Sequence, residues 1–129
     1  MSDYLLDTNV LIRCLRGIPE SAALLRELQA SSDLYVSVLS RLEIFVRMWP
    51  QEEKHTLQLL SSLISLPVDQ AVGDAAGHLL FRQARQGVTL SVADAIIAAT
   101  AIRHGLTVVT YDKRHLGQIP DLRVHDIAT

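Results

Sequence analysis

The sequence predicts an α/β protein, a three-layer sandwich in which a short parallel sheet is flanked by helices on both faces. Two observations predict it. Runs such as "LYVSV" (34–38) and "LTVVT" (106–110) are short, apolar and β-branched, the signature of strands buried on both sides. Between such runs lie amphipathic segments of about 10–18 residues, and strands alternating with helices of that length are the rhythm of a parallel sheet.

Each element follows in order. Residues 3–6 make a short buried strand that Asp7 ends. Residues 8–16 set Val10, Leu11, Cys14 and Leu15 at helical spacing, and Gly17 and Pro19 stop that helix. "PESAALLRELQAS" (19–31) is a second helix with Pro19 at its start. After the strand at 34–38, Ser40 opens a third helix, which Trp49-Pro50 closes, because a residue before proline avoids the helical region. "EEKHTLQLLSSL" (52–63) is a fourth, and "ISLPV" (64–68) is a short strand or extended link. Residues 69–87 form a long helix ending at Gly87, and residues 91–105 another ending at Gly105. Residues 106–110 are a buried strand, and "LRVHDI" (122–127) is a final strand at an edge. No repeat, low-complexity tract or linker interrupts the order, so residues 1–129 are expected to form one domain.

Composition narrows the function classes. Apolar residues are 49% and charged residues 20% of the chain, which excludes a disordered tail. Two Phe, three Tyr and one Trp leave little surface for stacking bases, so contact with nucleic acid would rest on charge and hydrogen bonds. The single cysteine, Cys14, excludes an internal disulfide and sits in an apolar stretch. Neither a secretory signal nor an apolar run near the roughly 18 residues of a membrane span is evident, so a cytoplasmic protein is expected. The net charge of −2 decides little, because charge acts locally.

Four acids occupy strand ends or helix starts: Asp7, Glu43, Asp94 and Asp112. Local structure accounts for each alone. Ser40-Arg-Leu-Glu43 and Ser91-Val-Ala-Asp94 fit a capping box, Asp7 an N-cap, and Asp112 a turn in "TYDK". The flanks argue for more: "YLLDTNVLI" and "LSVADAIIAATA" embed their acids among residues that want burial. In a parallel sheet, helix starts gather at the carboxyl ends of the strands, where ligands bind. Like charges about 4 Å apart repel by about 4 kcal/mol at an effective dielectric of 20. Gathered carboxylates must therefore take up protons or hold a cation. An all-oxygen set suits one or two Mg²⁺ or Mn²⁺ ions, whose chemistry is that of phosphate esters. Thr8, Asn9 and Thr110 are placed to brace ligands or waters, with helix capping as the alternative for Thr8 and Asn9. The five histidines show no metal-binding spacing and read as surface or helix-end residues. Arg13, Arg16, Arg41, Arg47, Lys113 and Arg114 lie near the same edge in sequence, within reach of phosphates.

"LLDTNVLI", "SVLSRLEI", "LSVADAIIAATAIRHGLTVVTYD" and "IPDLRV" resemble, in that order, the PIN-domain ribonucleases, specifically VapC-type toxins of toxin–antitoxin pairs. The resemblance implies a PIN-like fold and a Mg²⁺- or Mn²⁺-dependent endoribonuclease acting on RNA. By position it carries the four metal-binding acids onto Asp7, Glu43, Asp94 and Asp112, the last being the family's least constant site. It further implies a homodimer and a small antitoxin protein, which alone would contact operator DNA. Two rivals belong to other classes. A phospho-accepting receiver domain needs an acidic pair after the first strand, where this chain has one Asp followed by Thr-Asn. A catalytically silent RNA- or partner-binding domain would keep the fold without the chemistry.

Overall fold

In the computed structural model, which describes residues 3–127, four strands form one parallel sheet. They are β1 (Tyr4–Leu6), β2 (Leu34–Ser37), β3 (Ile64–Leu66) and β4 (Thr107–Val109), in the order β3-β2-β1-β4. The expected domain extent of 1–129 reaches residues 1, 2, 128 and 129, which lie outside the described residues. β1 is central: Leu5 pairs with Tyr35 on one side and with Val108 on the other. Parallel strands need crossovers, and helices supply them. These are α1 (Thr8–Leu15), α2 (Pro19–Gln29), α3 (Val38–Arg47), α4 (Glu53–Ser61), α5 (Gln70–Arg85), α6 (Val92–His104) and α7 (Lys113–Leu116).

Side-chain alternation divides the core in two. Leu5 and Val108 face a layer built from Val72, Leu79, Ala95, Ile97 and Ala98 of α5 and α6. Leu6, Val36 and Val109 face the other, with Val10, Leu11, Leu25, Leu28, Ile44 and Leu60 of α1 to α4. Neighbouring residues of one strand thus serve opposite helical layers, which is why these strands are apolar throughout. The small residues of α6 suit its place in the core, where Ala95, Ala98, Ala99 and Ala101 are all buried. Gly105 ends α6 in the left-handed region at φ 66°, where a side chain is disfavoured.

The sheet and most helix limits match the sequence reading, with four differences. First, α3 begins at Val38, not Ser40. Ser37 is its cap, accepting a hydrogen bond from Leu39 N at 3.1 Å, so Ser40 and Glu43 form no capping box. Second, a 3₁₀ turn (Pro50–Glu52) precedes α4, with Pro50 at its first position. Third, residues 122–127 make a single parallel bridge, Val108 with Val124, rather than an edge strand. That bridge uses both hydrogen bonds of Val108, to Arg123 O and from His125 N, after which Lys113 Nζ takes Asp126 and the Ile127 carbonyl. Fourth, the short helix α7 was not expected.

Candidate active site

Asp7 stands where β1 becomes α1. Its N–H still donates to Val109 O at 3.0 Å, continuing the ladder with β4, while its side chain caps the helix by accepting from Thr8 N at 2.8 Å. The residue is 8% exposed. Its second oxygen accepts from Thr110 Oγ1 at 2.8 Å and more weakly from Asn9 Nδ2 at 3.5 Å.

Thr110, wholly buried just after β4, joins the two ends of the chain. Its one proton goes to Asp7, and its lone pairs accept from Asp112 N at 2.9 Å and Asn9 Nδ2 at 3.2 Å. Asn9 Oδ1 in turn accepts from Tyr111 N at 3.2 Å. The segments Asp7-Thr8-Asn9 and Thr110-Tyr111-Asp112 are therefore laced together, and the three bonds that cross between them depend on β1 and β4 being neighbours.

Glu43 comes from the first turns of α3, and Thr8 Oγ1 lies 2.7 Å from its Oε1. The same hydroxyl lies 2.9 Å from Ser40 Oγ. A threonine hydroxyl has one proton, so donation to the carboxylate leaves Ser40 to supply the second bond. Ser40 is thus a buried support of the Thr8–Glu43 pair, which explains why it sits inside the helix and not at its cap. Asp94 lies in the first turn of α6, where Ser91 Oγ accepts from its N–H at 3.0 Å. Asp112 caps α7, and His115 Nδ1 lies 2.8 and 3.0 Å from its two oxygens.

Electrostatics couples these acids. Burial pushes the Asp7 carboxyl above the usual range; the Thr110 and Thr8 hydrogen bonds pull it back, and the charges of Asp94 and Glu43 add to the rise. Asp94 is raised by burial first and then by the charge of Asp112, with Glu43 adding a smaller push; Ser91 and His115 oppose it. The charges of Asp94 and Glu43 thus bear on Asp7, and those of Asp112 and Glu43 on Asp94. Their donors are all carboxylate oxygens, the chemistry of a hard divalent cation. Among the described residues no three acidic, histidine or cysteine side chains converge into a ready-made metal cage. Mg²⁺ does not require such a cage, since it keeps several waters and takes one or two carboxylates together with substrate phosphates.

Two features escaped the sequence reading. His115 pairs with Asp112 instead of standing free, and only its spacing of three after an acid hinted at this. Tyr111 lies under the Arg13 guanidinium, 4.0 Å from the ring centroid, and its hydroxyl meets Ser21 at 2.9 Å. Of the basic residues considered for phosphate contact, Arg16 is tied to Glu52 and Lys113 to Asp126.

Comparison with known proteins follows the same lines. The model of the PIN domain family matches residues 4–121. A ribonuclease VapC10 of Mycobacterium tuberculosis is 29% identical, over 92% of this chain and 90% of that relative. Among solved structures, a DNA-bound VapBC from Salmonella typhimurium superimposes with a TM-score of 0.81 at 27% identity, covering 98% of both chains. A toxin–antitoxin complex from Klebsiella pneumoniae does so at 0.79 and 26%, covering 97% of this chain and 100% of that one. The parallel sheet, its flanking helices and a family match across nearly the whole length agree: the chain belongs to the PIN-domain family.

Proposed function

We propose that this protein is an endoribonuclease that hydrolyses cellular RNA with one or two Mg²⁺ or Mn²⁺ ions held by Asp7, Glu43, Asp94 and Asp112. The observation that carries this reading is the pair Asp7 and Asp94. They lie 87 positions apart in sequence, at the starts of α1 and α6, yet each carboxyl is held above its ordinary range partly by acids of the same cluster. Such a cluster is stable at neutral pH when a cation compensates it.

When bound, the ion supplies an activated water and offsets charge on the phosphate oxygens. The chain's own residues fix the stage. Asp7 is held in one orientation by Thr8 N and Thr110 Oγ1, and Glu43 is steadied by Thr8 Oγ1. Asp112 is oriented by His115, while Asp94, half-buried at the start of α6, stays accessible to substrate. Four uncompensated carboxylates repel a phosphodiester, so RNA affinity at this face depends on the cation. Arg13, Arg41, Arg47 and Arg114, none of them in an ion pair among the described residues, are the basic groups left to meet neighbouring phosphates.

The relatives extend the proposal to biology. One is named a ribonuclease, and the superimposable structures are toxin–antitoxin complexes, one of them on DNA. On that support the chain is read as the toxin of such a pair: one PIN-like domain over residues 1–129, cytoplasmic, homodimeric, and inhibited by a small antitoxin protein that alone contacts operator DNA. No described helix is long and apolar enough to cross a membrane.

The test is cleavage of total cellular RNA by the purified protein under a manganese and magnesium titration, with cleavage sites mapped. Cutting that stops in EDTA and in Asp94→Asn supports the reading; intact RNA at every metal concentration ends it. The lack of a closed cage favours one rival, a catalytically silent RNA- or partner-binding domain. RNA binding that persists unchanged in EDTA, with no product, would establish that rival instead.

A further inference from the structure

A groove of about 480 Å³ runs between α5, α6 and the segment 117–121, and none of the four acids lines it. Its volume falls within the roughly 300–1,000 Å³ of small-molecule sites. Arg103, on its rim, lies nine residues beyond Asp94 along α6, about 14 Å at the helical rise. We propose that this groove is a second site, which binds a nucleoside monophosphate unit.

Gln83 is the first reason. It is 4% exposed, it lines the groove, and its side-chain amide bonds to no other described residue. No fully sealed polar side-chain atom among the described residues lacks a partner, so both amide atoms of Gln83, a residue of the groove wall, keep contact with solvent. An amide open to solvent at the groove offers donors and an acceptor to whatever displaces that water, and its pattern complements the edge of a nucleobase. Around it Leu79, Ala99 and Ile102 supply apolar wall for a planar ring.

Charge is the second reason. Arg82 of α5 and Arg103 of α6 line the same groove, and neither forms an ion pair among the described residues. Two unpaired guanidinium forks from different helices match a phosphate. Asp121 also lines the groove, and it is the one described non-glycine residue at positive φ, 69°. A carboxylate there opposes a bare anion but accepts hydrogen bonds from ribose hydroxyls. A simple anion leaves Gln83 and Asp121 unused, and a neutral apolar ligand leaves both arginines unused. A nucleotide uses all four.

The test follows backbone and side-chain amide signals of the full chain by NMR in EDTA, which keeps the carboxylate site free of metal. The probes are AMP, GMP, CMP, UMP and inorganic phosphate. At least one nucleotide should saturate with a Kd at or below about 1 mM, moving the Gln83 side-chain amide signals, and phosphate alone should bind at least about tenfold more weakly. Arg82→Ala and Arg103→Ala, both at exposed positions, should each weaken binding about tenfold. Gln83→Leu should weaken it and level the preference among bases. A short RNA with uncleavable linkages that moves the same signals assigns the unit to an RNA chain; response to mononucleotides alone assigns it to free nucleotide. Absence of saturation, shifts centred on Asp7 and Asp94, phosphate binding as tightly as nucleotide, or unchanged affinity in the three variants would each overturn the proposal. None of these readouts depends on RNA cleavage, so this proposal and the nuclease reading fail separately.

Discussion

Replacing Thr110 with valine tests how the site is held. The two side chains have nearly the same shape, so no cavity opens, and what is lost is one buried hydroxyl with three partners. Its bond to the Asp7 carboxylate is to a charged acceptor, worth about 1.5–3 kcal/mol, and the Asp112 N–H left behind adds about 1–3 kcal/mol where water cannot reach it. Asp112 is only half-buried, so water recovers part of the second amount. A net loss of about 2–4 kcal/mol follows, read as a lower urea midpoint at unchanged slope in EDTA, or as a melting point lower by about 8–16 °C. A second readout separates this bond from general packing. Thr110 lowers the Asp7 pKa, so its removal raises that pKa further, and metal binding must then displace a more tightly held proton. The manganese affinity of Thr110→Val should therefore reach its plateau at higher pH than that of the parent. Thr110→Ser, which keeps the hydroxyl, should restore the metal profile. A valine variant within about 1 kcal/mol of the parent, the scale of the extrapolation error, with an unshifted metal profile would refute the reasoning.

Three further outcomes are expected. Asp7 and Asp94 both have folded pKa values above the model-compound 3.8, so the native state holds their protons more tightly than the unfolded chain does. Their contribution to metal-free stability is thus fullest below that value and is lost as pH rises through the window above it; Asp94→Asn should flatten the decline, and equal pH slopes for variant and parent would count against it. Manganese at about a hundred times its Kd should raise unfolding free energy by about 2.7 kcal/mol in the parent and by far less in Asp94→Asn, which calorimetric melting reads directly. Ser37→Ala should cost about 1 kcal/mol by removing the α3 cap, measured by urea unfolding; a neutral result would mean that Leu39 N finds another partner.

The central strands were legible because they are apolar on both faces, and Asp7 and Asp94 stood out because an acid at a helix start among buried residues is a conspicuous choice, whereas Asp112 was read from its place after a strand end. The start of α3 was not. "LYVSVLS" carries strand-forming residues past the point where the helix begins, and Ser37 and Ser40 are equally good caps by type. What distinguishes them in the structure is tertiary: the Thr8 hydroxyl engages Ser40 from 32 residues away, while Ser37 takes Leu39 N. The tail at 122–127 has the alternation of an edge strand, yet Val124 alone bridges to β4. Four residues are too few for α7 to show a period, so the pairing of Asp112 with His115 was hidden with it. Family membership was readable from the order of the motifs; the lacing of Thr110 to Asp7 across 103 residues needed coordinates.

That span has a consequence for synthesis. A ribosome that has made the first hundred residues has already incorporated Asp7, Glu43 and Asp94, but neither β4 nor Thr110 exists to lock the first acid in place. Assembly of the site therefore waits for the segment that carries β4 and Thr110. A nascent chain that stops short of Thr110 carries Asp7, Glu43 and Asp94 without the bond that orients the first of them.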